Sequence, residues 1–144
     1  CLTVVLAVQG LLFADGGLTA LGTNVVLMGI VGVWVGWGAF CVARRLLPTR
    51  LGSVPVAAAI GGFLSVPCAA LTFVLLYAVG GAAPIPLGAL ATAMTGWHVV
   101  IGLGEAAITF VVVASLVRTR PDLVVGARDL LDAKPLEIRQ EVTA

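Results

Sequence analysis

A chain of 144 residues that is 60% hydrophobic and only 10% charged, with a mean hydropathy of +1.16, is too apolar for a soluble domain, where charged residues make up about 25%. Its net charge of +1, from 8 basic and 7 acidic residues, with the basic ones confined to two stretches, leaves no electrostatic footprint for a nucleic acid. What remains is an all-α integral membrane protein, and at about 20 apolar residues per crossing it has room for roughly four spans and a short tail.

The chain opens at Cys1 on an apolar run with no initiator methionine and no basic flank, unlike a signal peptide. We read Cys1 as a point inside a longer chain rather than a lipidated start, because an apolar helix follows at once with no polar linker. Residues 2 to 14 are expected to be the end of a longer span. Asp15 to Asn24 is glycine-rich and reads as a turn in which Asp15 and Asn24 satisfy free backbone groups or cap the next helix. Residues 25 to 43 are expected to form the second span, ending at Arg44-Arg45, with Gly32 and Gly36 spaced four apart so that another helix backbone can approach.

A loop with three arginines leads into a third expected span, residues 54 to 79. There Ala57, Ala58, Gly61 and Gly62 offer a close-packing face and Pro67 removes one backbone donor. After a turn at Gly80 to Pro86, the apolar stretch from Leu87 to Val117 exceeds the hydrocarbon thickness of about 30 Å. We therefore expect the last span to bend or break near Gly102-Gly104.

Glu105 is the first Asp, Glu, Lys or Arg after Arg50, and His98, the single histidine, lies seven residues before it. Ionisable groups at membrane depth usually line a cavity, a path or a helix junction. If the helix breaks at the glycines, Glu105 caps a new half-helix at the positive end of its dipole; if it continues, His98 and Glu105 share one face. For Glu105 a capping role and a transport role both stay open. His98 reads as a structural imidazole donating to a backbone carbonyl or a neighbouring side chain, and as the one candidate metal ligand otherwise. Cys1, Cys41 and Cys68 have no paired spacing and read as small packing residues.

All eight basic residues fall in the 44 to 53 loop or beyond the last span, which by the positive-inside rule puts both in the cytoplasm. Residues 1–118 are then a transmembrane helical domain in the cell membrane, and residues 119–144 a solvated, weakly helical cytoplasmic tail. The chain has no glycine-rich loop ending in Gly-Lys-Ser/Thr and so no phosphate cradle for ATP. It also lacks the second acid or the nucleophile and base pair that an intramembrane enzyme needs.

Asp15 to Gly29, His98 to Thr109 with its Gly102-Leu103-Gly104-Glu105 core, and the following Arg118-Thr119-Arg120-Pro121-Asp122-Leu123 together resemble the CbiM/NikM family. These are the cobalt and nickel substrate-specificity permeases of energy-coupling factor (ECF) ABC transporters. The resemblance implies a permease subunit that takes up Co2+ or Ni2+ and works with a membrane-embedded coupling (T) subunit and cytoplasmic ATPase subunits, with a small accessory membrane subunit as a further candidate partner. It also implies a metal held by a Met-His start and a loop histidine, neither of which occurs in this sequence. Neither a metal-holding set nor a bound cofactor is therefore expected in this chain, and it reads as the C-terminal part of such a permease. A structural or assembly subunit is the alternative, since small-residue faces serve packing in any membrane bundle.

Overall fold

The computed structural model describes residues 2–13 and 20–132, so Asp15 and the tail beyond residue 132 lie outside it. The elements run α1 (Leu2–Leu12), α2 (Leu21–Leu46), α3 (Ser53–Gly80), α4 (Leu87–Thr119), two 3-10 turns (Pro121–Leu123 and Val125–Ala127) and α5 (Arg128–Asp132). Among the described residues every regular element is helical. Helices α2, α3 and α4 are each long and apolar enough to cross a membrane. The chain is a multi-pass membrane helix bundle with α3 packed between α2 and α4.

Lipid is as apolar as leucine, so helices in a membrane gain from close packing and hydrogen bonds rather than from hiding hydrophobic surface. The bundle is built accordingly. Its tightly packed interior holds Ala43, Val54, Ala57, Ala70 and Val74, while Trp34 and Trp97 remain 74% and 70% exposed on the outer face. Where α2 crosses α3, a Cβ on Gly61 would stand 2.6 Å from the carbonyl oxygen of Gly36, closer than real atoms allow. Gly62, one residue on, turns the other way and abuts Thr109 of α4, whose Oγ1 would lie 3.1 Å from an added Cβ. The adjacent glycines of α3 thus serve two different neighbours.

Helix α4 runs unbroken for 33 residues, so a break at Gly102-Gly104 does not occur. At 1.5 Å per residue it reaches about 50 Å, which tilt or projection beyond the hydrocarbon core can accommodate. Gly102 has another purpose. Pro67 has no N–H, so the Phe63 carbonyl one turn earlier loses its helical donor, and this carbonyl faces Gly102, where an added Cβ would come within 2.9 Å. Gly102 is buried against the exposed backbone that the proline creates; around Gly104 there is open space.

Two further expectations need correction. The second span begins at Leu21 rather than Val25, which places Asn24 within the helix with φ −62° and ψ −39° and without a side-chain capping bond. Residues Val25–Val31 are π-helical, and the Gly32 N–H closes that wider turn on the Leu27 carbonyl. A Cβ on Gly32 would meet only this carbonyl, at an ordinary contact distance of 3.4 Å, so α3 does not approach Gly32 as closely as it approaches Gly36.

The connections are tied down locally. Ser53 Oγ donates to the Pro48 carbonyl at 2.6 Å, and Tyr77 straps the 81 to 86 turn by donating to the Ala83 carbonyl while accepting from the Ile85 N–H at 3.1 Å. The start of the tail is not a free appendage. Ala127 is fully buried and Gly126 sits against the ring of Phe40, which stacks on Trp37 with ring centroids 5.3 Å apart. Arg120 and Asp122 bracket Pro121 with a two-pronged ion pair at 3.0 and 2.8 Å. That hydrogen bond holds the Asp122 carboxyl below its usual range.

The glycine geometry yields a paired prediction. Gly61→Ala and Gly102→Ala should each destabilise the protein by about 1–3 kcal/mol, since the added methyl meets backbone that cannot yield easily. Gly104→Ala should be neutral or mildly stabilising, by up to about 1 kcal/mol, because alanine is the better helix former. Thermal unfolding in one detergent decides it, and a Gly104→Ala loss as large as that of Gly102→Ala would contradict the unbroken α4.

Candidate functional site

On the side of the bundle away from the Gly126 contact, α2, α3 and α4 diverge around a half-open cavity of about 540 Å³. Its polar lining comes from all three helices: Asn24 from α2, Ser65 from α3, and His98 and Glu105 from α4. Met28 and Met94 add two thioethers, and Phe73, Leu27 and Ile101 supply apolar wall. The spacing explains the set. Asn24 and Met28 are four apart on α2, and Met94, His98, Ile101 and Glu105 follow one another at intervals of four, three and four on α4, a single helical face.

Within this cavity His98 is fixed by its own helix. Its Nδ1 lies 2.7 Å from the Met94 carbonyl oxygen. A carbonyl can only accept, so Nδ1 carries the proton and donates, leaving Nε2 as the ring nitrogen available to the cavity. Ser65 Oγ donates to the Gly62 carbonyl at 2.8 Å, so its oxygen lone pairs stay available. Glu105 is in the middle of α4 and exposed toward the cavity mouth. It is neither buried nor a half-helix cap, because the break that would have made it one is absent. The wider π turn at Val25–Val31 lies directly after Asn24 and includes Met28, and such turns often re-aim side chains at functional sites.

Sequence reasoning singled out His98, Glu105 and Asn24, and the structure brings all three to one cavity; Asp15 lies outside the described residues. It missed Met28, Met94 and Ser65. The methionines were findable, each being four residues from a polar residue already chosen. Ser65 was not, because its place depends on how α3 crosses the other two helices. Among the described residues no three His, Cys, Asp or Glu side chains converge on a common point.

Three helices long and apolar enough to cross a membrane thus surround a cavity whose lining includes an imidazole, a carboxylate, an amide and a hydroxyl. The chain matches the family described as cobalt uptake substrate-specific transmembrane region, CbiM, over residues 1–123, and it belongs to that family. It is 37% identical to a putative metal transport protein of Haloquadratum walsbyi over 85% of this chain and 54% of that protein. It is 35% identical to a putative fused nickel transport protein NikMN of Archaeoglobus fulgidus over 85% of this chain and 40% of that protein. With a cobalt transport protein CbiM of Geobacter sulfurreducens the identity is 38%, over 84% of this chain and 35% of the other. The chain thus spans about half the length, or less, of these curated relatives. No solved structure matches it.

One imidazole with two thioethers and a carboxylate two turns away is a poor chelating set for a first-row divalent ion. The purified chain, carried on a histidine-free tag, should therefore bind Ni2+ more weakly than a Kd of about 1 μM, or about 8 kcal/mol. Isothermal titration measures it. A tighter isotherm that vanishes in His98→Ala would mean that this chain holds a complete metal site.

Proposed function

We propose that this chain is the transmembrane part of an uptake permease for a divalent transition-metal ion, cobalt or nickel, driven by ATP hydrolysis in partner subunits of an energy-coupling factor transporter. The observation that carries the reading is membership of the CbiM family over residues 1–123, joined to a largely apolar cavity in the same segment whose lining includes Asn24, Ser65, His98 and Glu105. Nitrogen donors suit Ni2+ and Co2+ better than hard cations such as Mg2+, and the relatives are named for cobalt and nickel. The cavity favours this reading over a purely structural subunit, because an imidazole and a carboxylate within membrane spans more often line a path or cavity than serve packing alone.

In this reading the 44 to 53 loop and the docked 120 to 132 segment face the cytoplasm, as the placement of Arg44, Arg45, Arg50, Arg118, Arg120 and Arg128 suggests. The coupling subunit and its ATPases meet the bundle there. The ion enters from the opposite side, and nothing in this chain contacts nucleotide.

The test is uptake of radiolabelled cobalt and nickel by cells that produce the protein with its neighbouring transport genes. Accumulation should require the protein and fall to background when the ATPase genes are deleted. Uptake that survives that deletion unchanged would exclude ATP-driven coupling, and no dependence on the protein would exclude the permease reading altogether.

A further inference from the structure

The cavity contains more than the general reading uses. Metal-ligating histidines almost always donate their second ring N–H to a carbonyl or carboxylate, which fixes the tautomer and aims the free nitrogen. His98 already has that arrangement, with Nδ1 2.7 Å from the Met94 carbonyl oxygen and Nε2 left for the cavity. Met94 and Met28 line the same cavity and supply soft donors that favour transition metals over Mg2+ or Ca2+. Glu105 is seven residues further along α4, about 10 Å along the axis. That is too far for the same coordination sphere but one step onward in the same cavity.

We propose that His98 Nε2, assisted by Met28 and Met94, is a weak transfer site inside the membrane for a borderline first-row divalent cation, from which the ion passes toward Glu105. Its cargo rests on the permease reading above; its chemistry rests on the cavity alone. Weakness is part of the proposal. A site on a transport path must bind well enough to be entered and loosely enough to be left, and a single imidazole with thioethers meets that condition where a full nitrogen set would trap the ion.

The composition makes the test clean, since the chain has 1 His and 2 Met. The whole chain is labelled with nitrogen-15 in histidine and carbon-13 in the methionine methyls, placed in nanodiscs on a histidine-free tag, and titrated with Zn2+, Co2+ and Mg2+. Zn2+ should move the Nε2 resonance while Nδ1 keeps its protonated signature. Co2+ should broaden both methionine methyls, and Mg2+ at equal concentration should do neither. In His98→Gln the Co2+ concentration needed for the same broadening should rise about tenfold or more.

An Nε2 resonance that stays still through the millimolar range would overturn the site, and it requires only the unaltered chain. So would methyl broadening that persists in His98→Gln. Cobalt uptake measured in parallel separates the two claims. Intact uptake with a silent His98 removes the transfer site and leaves the permease, whereas a responsive His98 in a protein that moves no metal keeps the site and removes the permease reading.

Discussion

The contact on which the bundle depends is backbone against backbone at glycine. In lipid there is no hydrophobic drive between helices, so the three long spans cohere only where they approach closely enough for dispersion and weak Cα–H···O contacts to accumulate. Gly36 against Gly61, Gly62 against Thr109, and Gly102 against the Phe63 carbonyl supply those points. The last pair is chemically specific. A proline in α3 leaves a carbonyl without its helical donor, and a glycine in α4 lets the neighbouring backbone cover it.

These crossings also determine where the bundle opens. The Gly36–Gly61 and Gly62–Thr109 contacts draw the helices together, and Leu27, Met28, Met94 and Phe73 line the cavity beyond them. Polar side chains facing lipid would be costly. Facing a cavity that water can enter, Asn24, His98 and Glu105 can satisfy themselves there. A tightened second helix would shift Asn24 and Met28 relative to α3. The π turn at Val25–Val31 sets their actual direction.

Much of this was legible in the sequence. The three long spans follow from apolar length, and His98 and Glu105 stand out because no other Asp, Glu, Lys, Arg or His lies between Arg50 and Glu105. Their shared cavity face follows from a spacing of seven on a continuous helix. What was not legible depended on partners far along the chain. Gly102-Leu103-Gly104 reads locally as a weak point, yet Gly102 answers a carbonyl freed by Pro67 35 positions earlier. Asn24 reads as a cap because a glycine-rich stretch precedes it, but the helix starts at Leu21 and carries it inside. The tail reads as solvated from its mixed charges, while the short Val124 to Ala127 stretch docks under Phe40 through one glycine and one alanine.

Glycine-mediated crossings hold open a water-accessible cavity between the membrane-length helices, with Asn24, His98 and Glu105 in its lining. Its most direct measurement is labelling of single cysteines by a membrane-impermeant thiol reagent, in a background with Cys1, Cys41 and Cys68 replaced by serine. Cysteine at Met28 or Met94 should react, and protection should appear when Ni2+ is added in excess. Cysteine at the outward-facing Trp34 or Ile108 should not react in a bilayer. Unreactive cysteines at both cavity positions, or equal labelling at all four, would contradict the account.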